Sequence, residues 1–441
     1  MHLSPEIFTI LMFAGLLVGL LLGHPLAFVL GGLSVIFAML GPGIPAFGIV
    51  INRVWGLADN YVMVAIPIFV FMARLLSDSG ITDRLFHTLR LLFGPVPGGL
   101  NFAVIIISVL LAATTGMVGA SLAVMGVLAL PAMISYGYRK ETSTGAIAAG
   151  GSLGILIPPS IMLVVMGGYA QLSVGKLFAA ALVPGLLLAV CYALYTGILC
   201  WMKPQYGPPV TAEERAQTST GTLLLMLLKE VAPTLALILG VLGSIFTGIA
   251  TVTEAASIGA AIAFLIILAY RRFSWAMLRT AVIETGITTA MVMFVAIGAT
   301  AFTGIFVAGG GMGVVQSFFT GLEIGRWGTF ALLMFAVFIA GMFLDWLGVI
   351  MICFPIFLPI AAALGFDKLW FVMMIAVCLQ TSFLTPPVGY ALFYLKGVAP
   401  KGVTTMHIYR GVVPFVLIIL GVIGLCALFP GIVTWLPSRL G

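Results

Sequence analysis

The chain has 441 residues, of which 62% are hydrophobic and 7% charged, with a formal net charge of +6. Soluble domains carry roughly 25% charged residues, so this sequence cannot cover a water-facing surface. Its apolar runs are continuous, which excludes the alternation of a membrane β-barrel and leaves an all-α polytopic membrane protein. Lys and Arg lie mostly in short connections, where the positive-inside rule explains their excess, and no nucleic-acid partner is expected.

In chain order, the first run (Ile7 to Leu22) has no basic segment before it and no small-residue cleavage site after it. It is expected to be a retained helix and not a signal peptide. With the run at 25–40 it makes residues 1–60 the N-terminal scaffold helices. Runs near 61–76, 100–135, 142–170 and 177–202 form a first repeat, 61–202. The stretch "KPQYGPPVTAEERAQTSTGT" (Lys203 to Thr222) combines Pro, charge and Ser/Thr, and marks 203–230 as a polar linker or amphipathic connection. Scaffold helices of the second half follow over 231–281, then a second repeat over 282–410 and a C-terminal helix over 411–441.

Two runs are too long for one span and carry polar, glycine-containing interruptions. Residues 100–135 contain "AATTGMVGAS" (Ala112 to Ser121), and residues 328–364 contain "AGMFLDWLGV" (Ala340 to Val349). Each is expected to be two short helices meeting at a tip, a re-entrant hairpin. Two further runs hold double prolines, "GILIPPSIMLVVMGG" (Gly154 to Gly168) and "SFLTPPVGYALFYLKG" (Ser382 to Gly397). These features recur at one offset. Pro131/Pro359, Gly137/Gly365, Pro158/Pro386 and Pro159/Pro387 are each 228 positions apart, so the chain holds two copies of one unit.

Duplicated units with broken helices mark a secondary transporter. Proline nitrogens at 158–159 and 386–387 cannot donate, so carbonyls one turn earlier lose their partners. Such backbone survives at membrane depth only when buried in protein or lining a wet cavity. Freed carbonyls suit a cation such as Na⁺, and half-helix N-termini suit an anion. Beside the first break lie Ser152, Gly154 and Ser160; beside the second lie Gln380, Thr381, Ser382, Thr385 and Tyr390. Hydroxyls and amides bind Na⁺ without burying a full charge. The structural alternative is that Pro and Gly kink packed helices and Ser/Thr repair the ladder.

Asp345, in "FLDWLG", is either a functional intramembrane carboxylate or a hairpin-tip cap. Glu254, in "TVTEAAS", reads as an N-capping group after Thr251; Glu284 and Arg74 are ionisable residues within apolar runs. Cys191, Cys200, Cys353, Cys378 and Cys426 have no CxxC spacing, and His2, His24, His87 and His407 are scattered. Neither a disulfide framework nor a transition-metal site is expected. An intramembrane enzyme would need clustered Asp, His or Arg, and none is present in the sequence. A scaffold subunit would not explain two matched breaks.

With these motifs in place, the chain resembles the large membrane subunit of tripartite ATP-independent periplasmic (TRAP) transporters, the DctM type, over almost its whole length. The resemblance is carried by "PIFVFMARLLSDSGI" (Pro67 to Ile81), "GASLAVMGVLALPAMISYGY" (Gly119 to Tyr138), "GSLGILIPPSIMLVVMG" (Gly151 to Gly167), "LFAAALVPGLLLA" (Leu177 to Ala189), "TVTEAASIGA" (Thr251 to Ala260) and "LQTSFLTPPVGYALFYLKGVAP" (Leu379 to Pro400). It implies an inverted-repeat, elevator-type fold of the ion-transporter superfamily, in the inner membrane of a Gram-negative bacterium. It also implies Na⁺-coupled import of an organic acid, with no cofactor. A soluble periplasmic (P-type) binding protein would deliver the substrate. A small four-helix (Q-type) membrane subunit would be a separate polypeptide, since no such module opens this chain.

Carried over by position, the resemblance puts the substrate between the hairpin tips, at Thr114, Thr115, Gly116, Gly119, Ser121, Gly341 and Asp345. It puts Na⁺ near Thr115, Ser152, Gly154, Pro158, Ser160, Gly341, Gln380, Thr381, Ser382, Thr385 and Pro386. The chain departs from the family at its first tip, where "TTGMVGAS" replaces a Ser-rich SGSS form, and at Cys378, where many members have Asn. Its branch is similar to members assigned to 2-oxo acids, mannitol or chloroaromatic acids, so a 2-oxo acid or related mono- or dicarboxylate is expected. A binding-protein-independent Na⁺/organic anion symporter is the alternative.

Overall fold

Helix boundaries follow the capping residues and glycines that the sequence supplies. The computed structural model describes residues 3–116, 118–209 and 220–440, with the side chains of Thr115, Ala120, Thr220 and Thr320 excepted. Part of the polar linker and the side chain of Thr115 therefore lie outside the described residues. The first half comprises α1 (Pro5–Leu21), α2 (Leu26–Leu40), α3 (Ala46–Ala58), α4 (Ala65–Asp78), α5 (Ile81–Phe93), α6 (Gly99–Thr115), α7 (Val118–Ser135), α8 (Lys140–Ser152), α9 (Ile161–Ala170) and α10 (Val174–Met202). The second comprises α11 (Thr220–Phe246), α12 (Val252–Ala269), α13 (Trp275–Ala308), α14 (Gly311–Gly321), α15 (Gly325–Phe343), α16 (Trp346–Ala363), α17 (Lys368–Phe383), α18 (Tyr390–Val398), α19 (Thr405–Leu428) and the single turn α20 (Gly431–Thr434).

Local chemistry accounts for the ends. Ser173 caps α10, Asp367 caps α17, and Thr251 with Glu254 forms a reciprocal capping box on α12. Glu254 is thus the capping group that its sequence position suggests. The repeated glycines of the two copies have one job. Gly137 (φ 78°) and Gly365 (φ 71°) take the left-handed conformation just after α7 and α16. There Tyr138 N–H bonds Met133 O and Phe366 N–H bonds Ala361 O, both at 3.0 Å, closing matching C-terminal motifs.

The 228-residue offset runs further than the sequence reveals. It maps α7 onto α16 residue for residue and brings α8 and α17 to a common start. It also pairs α1 with α11, α2 with α12, α4 with the second half of α13, and α5 with α14. One difference between the copies lies ahead of α4. In the first, a 3-10 turn at Tyr61–Val64 separates α3 from α4; in the second, α13 runs unbroken for 34 residues.

Packing divides the helices into an inner and an outer set. Inside, α8 lies against α19 and α17 against α10, while α7 packs on α18 and α16 on α9. Each hairpin therefore leans on the other repeat's broken helix, as a two-fold arrangement requires. Both α8, from Thr142, and α17, from Trp370, are buried to their last residue. Gly145 and Gly411 let α8 and α19 approach closely, since a Cβ on either would collide with the other's backbone. Outside, α2 packs on α13 and α4 on α12, again a matched pair. An Arg74–Glu284 ion pair of 2.6 Å ties α4 to α13.

Eight helices among the described residues are long and apolar enough to cross a membrane. Residues such as Trp55, Trp201, Leu239 and Ile287 present exposed apolar side chains on the outside of the helix bundle.

Candidate functional site

At the first double proline the helix stops. A 3-10 turn (Leu153–Ile155) follows α8, the chain runs irregularly through Pro158 and Pro159, whose shared bond is cis, and Ser160 caps α9. The N–H groups that would reach Gly154 O and Ile155 O from four residues on belong to prolines and do not exist. Ser160 Oγ–H donates to Ile155 O in their place. Every residue from Gly151 through Ser160 is buried.

The first hairpin tip lies on this break. Gly116 (φ 58°) ends α6, and a Cβ there would sit 3.2 Å from Pro159 O and 3.3 Å from Ile161 N. Only glycine meets both the left-handed conformation and the approach to the break. Thr114 and Ser121 flank the tip and are buried, and Gly119 faces Tyr394 of α18.

The second break has the same construction. After α17 come Leu384 and Thr385, the cis Pro386–Pro387 bond, and Gly389 (φ 50°), which opens α18. Here Ser382 O and Phe383 O are the carbonyls whose i+4 partners are prolines. The second hairpin meets α17 beside it: a Cβ on Gly341 would collide with Ser382 Oγ and Cβ. Ser382 Oγ donates to Phe338 O and Cys378 Sγ to Met334 O, each at 3.3 Å, joining α17 to α15. Asp345 forms the turn of this hairpin, and its Oδ1 accepts the Gly348 N–H at 2.9 Å. It caps α16.

Four hydroxyls of the breaks and the first tip donate to their own stretch of backbone. Ser152 donates to Ala149 O (2.8 Å), Thr381 to Cys378 O (2.6 Å), Thr385 to Thr381 O (2.7 Å) and Thr114 to Leu111 O (3.1 Å). A hydroxyl that donates to its own helix keeps its lone pairs for an electropositive partner. Gln380 stands apart. It is fully buried, and neither its Nε2 nor its Oε1 has a partner. Such a group is costly inside protein unless something binds it. The donor set is all oxygen and amide, which suits a hard monovalent cation. Among the described residues no cluster of His, Cys, Asp and Glu could hold a transition metal.

The two breaks differ in exposure. The first is buried; at the second Pro386 and Pro387 are exposed, and α18 exposes Phe393 and Tyr394. A separate open cleft of about 550 Å³, lined by Ser173, Lys176, Thr247, Thr251 and Arg439 among others, lies away from both breaks. The sequence singled out the residues of the breaks and tips. It missed Asn60 and the α15 carbonyls of Met334 and Phe338, which carry no motif.

Comparison with known proteins places this architecture. The family described as "Tripartite ATP-independent periplasmic transporter, DctM component" matches residues 13–432. The C4-dicarboxylate TRAP transporter large permease protein DctM of Pseudomonas aeruginosa is 31% identical over 87% of this chain and 88% of that protein. The isethionate TRAP transporter permease protein DctMQ of Oleidesulfovibrio alaskensis is 30% identical over 94% of this chain and 64% of that longer protein. Among solved structures, the YdaH transporter of Alcanivorax borkumensis shares the fold, with a TM-score of 0.64 at 14% identity over 98% of this chain and 99% of that one.

Proposed function

The chain belongs to the DctM-component family of the tripartite ATP-independent periplasmic transporters, and from that premise we propose that it is the large permease subunit of an Na⁺-coupled organic acid importer of a bacterial inner membrane. One observation carries the reading: each hairpin meets the chain at or just before a double-proline break, where Thr381 and Thr385 hydroxyls donate to their own backbone and Gly154 O and Phe383 O lose their i+4 N–H donors to proline. Na⁺ binds near Ser152, Gly154, Pro158 and Ser160 on one side and near Gln380, Thr381, Ser382, Thr385 and Pro386 on the other. The anion sits between the tips, against Thr114, Gly116, Gly119, Ser121, Gly341 and Asp345.

The substrate is an anionic organic acid, in keeping with relatives named for C4-dicarboxylates and isethionate. A soluble periplasmic protein delivers it, and a small membrane subunit completes the permease, as the fused DctMQ relative suggests. Transport proceeds by elevator movement of the inner helices against the outer ones. The test is uptake of labelled organic acids into proteoliposomes that hold this chain with its small subunit and binding protein. Accumulation driven by an inward Na⁺ gradient, and lost without the binding protein, is the expected result. Full-rate uptake by this chain alone would identify a binding-protein-independent symporter. No Na⁺ effect would remove the coupling.

A further inference from the structure

The last turn of α9 leaves a backbone carbonyl that the helix cannot satisfy. Gln171 N–H and Leu172 N–H both bond Gly167 O, the latter at 2.9 Å. Gly168 O, the next acceptor in line, is left over. Its donor comes from the outer helices: Asn60 Nδ2 reaches it at 3.3 Å across 108 residues of sequence. The other end of the same amide is also engaged, since Asn60 Oδ1 accepts Val62 N–H at 3.1 Å and caps the 3-10 turn Tyr61–Val64. Contact is close on all sides. A Cβ on Gly168 would lie 2.5 Å from Met63 Cε and 3.5 Å from Asn60 Nδ2.

The other repeat lacks this arrangement. Shifted by the repeat offset, Asn60 corresponds to Thr288, inside the unbroken helix α13, where no turn can project a capping side chain. Among the described residues no hydrogen bond joins α18 to the outer helices; Lys396 Nζ bonds Val403 O instead. One half-helix is fastened to the outer set and its counterpart is free. In a two-fold structure, that difference separates one working position from the other.

We propose that Asn60 is a positioning residue of the transport cycle: it fastens the C-terminal end of α9 to the outer helices and must let go when the inner helices move. The proposal rests on the elevator reading above. A neutral hydrogen bond of this kind shifts a two-position equilibrium by roughly 2- to 12-fold, strong enough to bias the resting position and weak enough to release.

The test uses spin labels on the full chain, in the assembled permease, at Ile249→Cys on the outer set and Lys368→Cys on the inner set. Both sites are exposed. Asn60→Asp keeps the cap on Val62 but sets an acceptor against Gly168 O, and Asn60→Ala removes both bonds. Melting curves select variants that fold, and either one suffices for the test. The expected result is a second inter-label distance, populated several-fold more than in the parent under the same Na⁺ and substrate. If that distance responds to Na⁺ or substrate in the parent but not to either variant, the fastening role is wrong and the elevator stands. If no condition yields a second distance in the parent, the elevator reading itself fails.

Discussion

Asp345 caps α16 in the structure, one of the two roles that its place in the sequence allows. A lone carboxylate in an apolar run suggests a binding role, yet its Oδ1 is spent on Gly348 N–H. Replacement by Asn preserves that acceptor. Asp345→Asn should therefore leave thermal stability near the parent, whereas Asp345→Ala should cost about 1 kcal/mol, the usual value of an N-cap. Uptake separates the roles: normal Na⁺-dependent transport in Asp345→Asn reduces this residue to a cap, and loss of transport at full stability makes its charge a working part. Glycines were harder to read. Sequence placed Gly116 at the substrate and Gly341 at both substrate and Na⁺, but not their packing, because nothing in a string of letters says which Cα faces a neighbour's atoms. Gly341→Ala should destabilise by about 1–3 kcal/mol, as overpacking does, by driving α15 from Ser382. Adding Ser382→Ala should return part of the loss in a denaturation experiment, and no recovery would show that the strain lies elsewhere.

At the level of elements, length and apolarity revealed the long helices and both interruptions, since a 36-residue run cannot cross ~30 Å of hydrocarbon once. The short helices α3, α5 and α14 were missed. They interleave polar residues with apolar ones, so no continuous run announces them. The breaks were legible because proline chemistry is local, but their unequal surroundings were not. The first is buried, while Pro386 and Pro387 are exposed. Pro386→Ala with Pro387→Ala should therefore change melting temperature less than Pro158→Ala with Pro159→Ala, which removes ring atoms from a filled interior. The same Pro386/Pro387 double variant regains two N–H groups aimed at Ser382 O and Phe383 O. Its half-saturating Na⁺ concentration for uptake should rise more than its protein level falls. An unchanged Na⁺ dependence would mean that those carbonyls do not hold the ion.

Across the whole molecule, the repeat was visible at a few prolines and glycines only, because lipid-facing helices such as α1 and α11 accept almost any apolar residue and keep no marker of common origin. The folded chain recovers the correspondence through contacts, and contacts also sort its charges. Arg84 stacks on Tyr270 and pairs with Glu230, Arg272 lies beside Gly80, Arg139 covers Tyr206, and Lys140 bonds Gly402 O. These link one end of the molecule, where Arg90, Lys203, Arg271, Lys396 and Lys401 also fall. At the opposite end, Pro5 meets Gly310, Gly168 meets Asn60 and Arg326 bonds Gly365 O. There Arg53, Lys176, Arg326, Lys368 and Arg439 are offset by Glu6, Asp59, Glu254, Glu323 and Asp367. The positive-inside rule predicts that the basic end faces the cytoplasm, with Pro5 and Arg439 on the other side. In that orientation the exposed second break and α18 face the cytoplasm, and the end of α9 bonded by Asn60 faces the outer side. Single cysteines at Ile249 and at Lys401, probed with a membrane-impermeant maleimide on sealed right-side-out vesicles, test this directly. Ile249→Cys should label at once and Lys401→Cys only after lysis; the opposite pattern would invert the orientation and, with it, the side to which the resting site opens.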